Sequence, residues 1–125
     1  MDEMMSSTGK IALIVEPDEE TALAMARQLA KLGLDSLSAS GVENAVETLD
    51  WLQPDIVLIS QGFDRENGVR RISRTSDGRA PLVFVSDGAD IEAMGAAIWQ
   101  GASECLMHPF DEEILEFKLQ QTGVL

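Results

Sequence analysis

Residues 55–62 of the chain read DIVLISQG, and this short stretch decides the fold. Its four consecutive apolar residues, Ile56–Ile59, lack the polar alternation of a strand with one solvated face. Such a run is typical of a parallel strand covered by helices on both faces. Ser60 follows directly, at the edge where parallel sheets usually bind ligands. The sequence therefore predicts a buried central strand that ends in a hydroxyl group at the functional edge of the sheet.

Short apolar runs and amphipathic segments alternate along the rest of the chain. Further strands are predicted over 11–15, 34–39, 81–86 and 104–107, and helices over about 18–32, 42–52, 90–101 and 111–121, with a short one starting near Gly68. Five strands alternating with five helices predict an α/β fold, a doubly wound parallel sheet with helices on both faces. Residues 1–9 are expected to form a flexible lead, and residues 10–122 a single domain.

The first helix has a predicted cap and a predicted buried face. Asp18 precedes it and is expected to be the N-cap. The residues expected on its buried face are Leu23, Ala26, Leu29, Ala30 and Leu32, before Gly33 ends the helix.

Composition excludes several classes of protein. A formal net charge of −13 argues against nucleic acid or a membrane surface as the main partner. No apolar stretch reaches the roughly 20 residues of a membrane span, and the acidic start is unlike a secretion signal. The lone Cys105 excludes an internal disulfide, so a cytoplasmic location is expected. Five of the nine basic residues lie close together in the sequence: Arg65, Arg70, Arg71, Arg74 and Arg79. They form either a solvated face that balances nearby acids or a docking site for an acidic partner.

Five segments, in register over about residues 10–121, resemble the receiver domains of bacterial two-component response regulators. They are KIALIVEPDEE (10–20), QPDIVLIS (53–60), Gly68 eight positions after Ser60, APLVFVS (80–86) and GASECLMHPF (101–110). The resemblance implies the flavodoxin-like sheet of strand order 2-1-3-4-5. It also implies a role in signal transduction and a cis His108–Pro109 step. Because the sequence stops at QQTGVL, soon after the last predicted helix, we expect the domain to be the N-terminal, regulatory part of a longer protein.

The departures from the family pattern lie at its chemical positions. Glu16 matches the first acid of the family's Mg²⁺ site, but Pro17 stands at the second, and Ser60 replaces the aspartate that accepts the phosphoryl group. A serine hydroxyl cannot form the labile acyl phosphate of the family's cycle. We therefore expect no metal site, with weak or absent Mg²⁺ binding, and no other cofactor. Asp18, one position late for a ligand, fits a helix cap better.

The switch positions of the family are also altered. His108 stands where the family has the lysine that pairs with the phosphoryl group, and Cys105 replaces the aromatic switch residue, whereas Ser86 keeps the family's hydroxyl. The resemblance places a partner surface on the fourth helix, fifth strand and fifth helix, at Met94, Ile98, Trp99, Cys105 and Lys118, with Phe117 nearby. A contact with another chain and a core position both fit the spacing of Ile98 and Trp99. Met94 is expected to be the least easily buried.

These residues predict a pseudo-receiver, a non-enzymatic module that binds a protein partner or a second copy of itself without phosphorylation. One alternative is a sensor of a small ligand or nucleotide, with Glu16, Ser60, Ser86 and His108 around the ligand. In another, His108 near Glu16 senses pH. A Ser60/His108 hydrolase is the third, but the segment LISQG lacks the G-x-S-x-G turn of that chemistry.

Overall fold

The computed structural model describes residues 8–62 and 68–125, which form one parallel sheet with helices on both faces. The strands are β1 (Lys10–Val15), β2 (Leu34–Ala39), β3 (Ile56–Ser60), β4 (Leu82–Asp87) and β5 (Glu104–His108). The helices are α1 (Glu19–Lys31), α2 (Val42–Leu49), α3 (Gly68–Thr75), α4 (Ile91–Gln100) and α5 (Glu112–Thr122). The strand order is β2-β1-β3-β4-β5, so the predicted flavodoxin-like topology is confirmed.

Strand β3 is buried along its whole length at the centre of the sheet, as its apolar run predicts. Its alternate residues face opposite sides. Leu58 belongs to the core formed with α1 and α5, which contains Met25 and Leu115. Val57 and Ile59 belong to the core formed with α2, α3 and α4. Burial on both faces therefore holds the end of β3, and with it Ser60, in a fixed place.

The predicted buried face of α1 is partly wrong. Leu29 is buried, but Leu23 and Ala30 are exposed, and the helix instead buries Ala22 and Met25. Ala26 and Leu32 are only partly buried against this core. Both stripes have helical spacing, so the pattern alone does not decide which of them packs against the sheet.

Helix ends follow the predicted caps, with one shift. Asp18 is the N-cap of α1, as predicted. Helix α2 ends at Leu49 rather than at Leu52, although the Leu52 N–H still donates to the Thr48 carbonyl at 2.9 Å. Pro54 prevents further helix, because a residue before proline favours extended backbone.

The amino-terminal lead is only partly within the described residues. Residues 1–7 lie outside them, whereas both the backbone N–H and the hydroxyl of Thr8 donate to the Gly33 carbonyl at 2.8 Å. Residue 8 is therefore attached to the domain rather than part of a free lead. No helix in residues 8–62 and 68–125 is long and apolar enough to cross a bilayer.

The arginine-rich segment lies mainly on α3. Arg71 forms an ion pair with Glu43 of α2, with 2.6 Å between Nη1 and Oε2. Arg70, Arg74 and Arg79 are exposed, and Arg65 lies outside the described residues. The Arg71–Glu43 pair agrees with the interpretation that this segment balances nearby acids.

Candidate functional site

The carboxyl ends of four strands surround a cleft that opens to solvent, with a volume of about 140 Å³. It lies at the edge of the sheet where β1, β3, β4 and β5 end. The lining residues are Glu16, Thr21, Met25, Ser60, Val85, Asp87 and His108. The fold thus brings together three of the predicted site residues, Glu16, Ser60 and His108, from three separate strands or strand ends. The lining residues that sequence reasoning missed are Thr21, Met25, Val85 and Asp87.

Ser60 is nearly buried at the end of β3, with 8% of its surface exposed. Its hydroxyl donates to the Val15 carbonyl of β1 across a long 3.4 Å. Within the described residues, no hydrogen bond joins this hydroxyl to His108. A serine nucleophile needs an adjacent base to take its proton, and this hydroxyl is directed to a carbonyl instead.

The two acidic side chains after β1, Glu16 and Asp18, accept hydrogen bonds from the turn that begins α1. The backbone N–H of Asp18 donates to Oε2 of Glu16 at 3.0 Å. Oδ2 of Asp18 accepts from the backbone N–H of Thr21 at 3.0 Å and from its hydroxyl at 2.6 Å. These hydrogen bonds lower the pKa of the Asp18 carboxyl, the hydroxyl contributing most. Asp18 therefore caps α1, and Pro17 between the two acids offers no carboxylate.

Two of the three positions at which receivers carry Mg²⁺-binding acids lack a carboxylate in this chain. Receiver-type Mg²⁺ binding uses several carboxylates around one octahedral ion, but here Pro17 and Ser60 stand at two of the three acid positions. In residues 8–62 and 68–125, no three His, Cys, Asp or Glu side chains lie together as a metal site requires.

Gln61, which directly follows β3, ties the cleft to the β4–α4 connection. Its Oε1 accepts from the backbone N–H of Asp87 at 2.8 Å, and its Nε2 donates to Oδ2 of Asp90 at 2.7 Å. Asp90 is the N-cap of α4, accepting from the Ala93 N–H at 3.1 Å. The Ala93 N–H, and then Gln61, lower the pKa of Asp90. One amide thus joins the end of β3 to the start of α4.

Ser86 is completely buried beside this connection, and its hydroxyl donates to the Gly88 carbonyl at 2.7 Å. The backbone N–H of Gly88 in turn donates to the His108 carbonyl at 3.0 Å. The Ser86 hydroxyl is therefore directed into its own loop rather than into the cleft.

His108 lies exposed at the mouth of the cleft, with its ring edge-on to Phe110 at 5.9 Å between centroids. The His108–Pro109 bond is cis, as the family resemblance implies. Among the described residues, no ion pair joins His108 to Glu16. A second depression of about 300 Å³ adjoins the cleft and shares Thr21, Met25 and His108 with it.

The predicted partner surface divides into exposed and half-buried residues. Trp99 is 89% exposed, Phe117 55% and Ile98 49%, so the core interpretation of Ile98 and Trp99 is wrong. Met94, expected to be hard to bury, packs half-buried against the core together with Cys105. It was misjudged because the inward face of α4 includes position 94 beside the buried Ala97.

The two remaining residues of the predicted surface have partners within the domain. The Cys105 thiol donates to the Met94 carbonyl at 3.7 Å, and burial raises its pKa. Lys118 of α5 forms an ion pair with Glu104 of β5, at 2.8 Å between Nζ and Oε1. Both contacts join elements of this surface to each other.

The fold is that of a receiver domain, and comparison with known families agrees. The model of the response regulator receiver domain matches residues 12–120, so the chain belongs to the response regulator receiver domain family. Members of this family act in two-component signal transduction.

Individual relatives are distant in sequence. The chain is 22% identical over 111 residues to "Regulatory protein AtoC" of Escherichia coli (strain K12), covering 87% of this chain and 24% of that protein. A response regulator from Thermotoga maritima has a TM-score of 0.83 at 20% identity, over 93% of this chain and 98% of that one. The receiver domain of sensor histidine kinase PA1611 from Pseudomonas aeruginosa PAO1, with a magnesium ion in its active site cleft, has a TM-score of 0.80 at 19% identity, covering 93% and 98%.

Proposed function

We propose that this chain is a pseudo-receiver that acts as a protein-interaction or dimerisation module without phosphorylation. The observation that carries the proposal is Ser60 at the end of β3, nearly buried and hydrogen-bonded to the Val15 carbonyl. An acyl phosphate forms on a carboxylate, and a hydroxyl in this position lacks both the charge and an activating base. Receiver domains generally signal through other proteins rather than by catalysis, and we propose that this one is likewise not an enzyme.

The altered pocket supports weak or absent Mg²⁺ binding as part of this proposal. Phosphoryl transfer depends on positioning and on cations that offset the charge of the transferred group. Pro17 supplies no ligand, the Asp18 carboxylate is used by Thr21, and His108 replaces a lysine. We expect no other cofactor at this site.

The exposed face of α4 supports the interaction role. Glu92 is the only charged residue among Ile91–Gln100. The side chains that this helix exposes to solvent are mostly apolar, and they include Ile91, Ile98 and Trp99. A helix that is apolar around most of its circumference is normally covered by other protein. The inner side is covered by the domain core through Met94 and Ala97, which leaves the outer side for another chain.

Charge and location complete the proposal. The net charge of −13 disfavours nucleic acid and anionic membrane surfaces as partners, so the partner is a protein or a second copy of the chain. We place the domain in the cytoplasm, where a free cysteine such as Cys105 stays reduced.

Phosphate labelling with a restored variant as control tests the phosphorylation half of the proposal. The chain is incubated with acetyl phosphate and Mg²⁺, and covalent phosphate is measured by intact mass and by lability to acid and base. We expect no label on the native chain. The variant Pro17→Asp, Ser60→Asp, His108→Lys restores the acid and lysine positions and is expected to regain a labile phosphate.

Covalent phosphate on the native chain would contradict the proposal, whichever residue carries it. Beryllofluoride binding in the cleft with Mg²⁺ present, seen by NMR shift changes at Ser60 and Ser86, would contradict it as well. A serine-directed fluorophosphonate probe that labelled Ser60 would instead support the hydrolase alternative.

A second candidate function, the sensor of a small ligand or nucleotide, is favoured by the open cleft and the adjoining depression at its mouth. Thermal-shift measurements against a metabolite set test it, with Ser60→Trp as the variant that fills the cleft. A shift on the native chain that Ser60→Trp abolishes would favour the sensor, and no shift in the set would favour the interaction module.

A further inference from the structure

Three arginines of α3 and of the turn after it have no acidic partner within the described part of the chain. Arg70 and Arg74 are four residues apart, so their side chains lie one above the other on the outer side of α3. Both are exposed and neither forms an ion pair, whereas Arg71 pairs with α2. Arg79 follows in the turn after α3, where its Nε donates to the Ser76 carbonyl at 3.1 Å.

The position of Arg70 works against the helix that carries it. The first turn of α3 contains no acidic residue, and a cation there lies near the positive end of the helix dipole. Arg74, in the last turn, is well placed for the dipole, but like charges four residues apart repel each other. Residues that oppose the local structure in this way are typical of sites that serve binding.

A need to balance charge within the domain does not explain the unpaired arginines. The chain has 22 acidic and nine basic residues, so acidic partners are abundant. Its three lysines all have partners in the domain: Glu112 for Lys31, Glu104 for Lys118 and the Val124 carbonyl for Lys10. The basic residues left without an acid on α3 are arginines, whose planar guanidinium groups bind carboxylates through paired hydrogen bonds.

An exposed aromatic side chain lies at the same end of the domain as Arg79. Leu52 and Arg79 line one narrow cavity of about 20 Å³ between the end of α2 and the turn after α3. Trp51 directly precedes Leu52 and is 70% exposed. Tryptophan and arginine are among the residue types most enriched at the energetic centres of protein interfaces. The surface therefore combines a charged row with an apolar anchor.

We propose that this arginine surface, formed by Arg70, Arg74, Arg79 and Trp51, binds an acidic segment of a partner protein that contains an apolar residue. The inference rests on the proposed function and gives the protein partner its chemistry, through α2 and α3 rather than α4. Carboxylates of the segment pair with the guanidinium groups, and its apolar side chain covers Trp51.

The distribution of charge favours a short acidic segment over a long polyanion. Charges farther away than about 8 Å are largely screened at physiological ionic strength, so the local arginines attract a segment docked on α3. A nucleic acid would extend beyond the arginines and meet the acidic remainder of a chain with a net charge of −13.

Fluorescence anisotropy with a defined probe tests the surface. The probe is a labelled peptide with a central Leu-Phe pair and three Glu residues on each side. We expect the native chain to bind it with a dissociation constant on the order of 100 μM. The double variant Arg70→Glu, Arg74→Glu should weaken binding by about tenfold or more, because each reversal removes a charge-assisted hydrogen bond.

A pair of basic residues on α1 provides the matched control. Arg27 and Lys31 are exposed, four residues apart, and lie on the helix layer at the other face of the sheet. Arg27→Glu, Lys31→Glu therefore makes the same change in net charge with the same spacing. We expect it to leave the affinity for the peptide nearly unchanged.

Two further variants separate recognition from bulk charge. Arg70→Lys, Arg74→Lys keeps the charge but removes the planar fork, and should weaken binding several-fold. Trp51→Ala should weaken the Leu-Phe peptide by about fivefold and leave a peptide with Ser-Ser at its centre unaffected. Circular dichroism checks that each variant keeps the native fold.

Equal losses in the α3 and α1 double variants would show an effect of net charge alone and overturn the proposal. Absence of binding at millimolar peptide would overturn it too, as would inorganic polyphosphate or a single-stranded oligonucleotide that binds the native chain more tightly than the peptide. Self-association in sedimentation that Arg70→Glu, Arg74→Glu abolishes would assign the surface to a second copy instead. Covalent phosphate on a native chain that still binds the peptide would contradict the proposed function and leave the arginine surface standing.

Discussion

The cleft at the end of β3 and the outer face of α4 differ in where their functional groups are directed. In the cleft, Ser60 donates to a neighbouring strand, Ser86 to its own loop, and both polar ends of the Gln61 amide to the β4–α4 connection. On α4, Ile91 and Trp99 have large apolar side chains in contact with water. The polar pocket is largely satisfied within the domain, and the apolar face is not. The strand ends thus leave few polar groups without a partner, whereas the outer side of α4 leaves large apolar side chains in water.

Two glycine-to-alanine changes, one in α4 and one at its C-cap, give the largest expected effect. They test whether the end of the helix is packed tightly against α3 while its outer side faces open space. Gly101, at φ 125°, would place a Cβ 2.5 Å from Ser73 Oγ of α3, so Gly101→Ala should lower the free energy of unfolding by about 2–4 kcal/mol. Gly95→Ala, in open space, should raise it by about 0.5–1 kcal/mol. Urea unfolding of both variants measures the pair, and effects of the same sign would break the comparison.

Two serine-to-alanine changes test whether the pocket hydroxyls are structural. Ser86→Ala removes a 2.7 Å hydrogen bond at a fully buried site and should cost about 1–2 kcal/mol, because the Gly88 carbonyl loses its donor. Ser60→Ala removes only a long 3.4 Å hydrogen bond and should change stability by at most about 0.5 kcal/mol. Denaturant midpoints at constant m-value check this. A larger loss at Ser60 would mean that its hydroxyl has partners beyond the Val15 carbonyl.

Replacing Gln61 tests the link between the two regions. Gln61→Leu keeps the volume of the side chain but removes the acceptor of the Asp87 N–H and the donor to Asp90. We expect hydrogen exchange at the Asp87 amide to become about tenfold faster, with a global loss of no more than about 1 kcal/mol. Amide exchange by NMR measures it, and the Ser86→Ala variant serves as a control for general loosening of the loop. Unchanged exchange at Asp87 would contradict the assigned role.

The smallest expected effect concerns pH. Thr21 lowers the pKa of Asp18 below its ordinary value of 3.8, so Asp18 contributes stability above that value and loses it as the pH falls through the lowered pKa. Asp18→Asn keeps a capping oxygen but removes the titration. Between about pH 6 and about pH 3, the native chain should therefore lose more stability than Asp18→Asn. Urea unfolding at both pH values is the measurement, and equal losses would contradict it.

Much of the fold was predictable because its central strands, β3 and β4, are buried on both faces. The runs at Ile56–Ile59 and 81–86 have no polar alternation, and this pattern alone indicates parallel strands under helices. The buried face of α1 was harder to predict, because alanines at several positions make two helical faces almost equally apolar. Only the packing in the folded domain shows that the face with Met25 is the buried one. The prediction that Met94 is exposed was wrong for a similar reason. The side of α4 that packs against the core depends on how the helix is oriented on the sheet.

The chemistry of the site was predictable only where residue type decides it. Ser60 and Pro17 replace acids, and no geometry is needed to see that carboxylates are missing. The role of Gln61 was not predictable, because its partners are 26 and 29 residues away and meet it only in the folded sheet. Hydrogen-bond partners of long polar side chains depend on tertiary distances that a local pattern does not contain.

The amide of Gln61 also determines how a partner would encounter α4. Its Nε2 donates to Asp90, the N-cap of this helix, so the first turn of α4 is already ordered before a partner binds. A preorganised surface loses little conformational entropy on association. We therefore expect association at this face to resemble docking of rigid bodies.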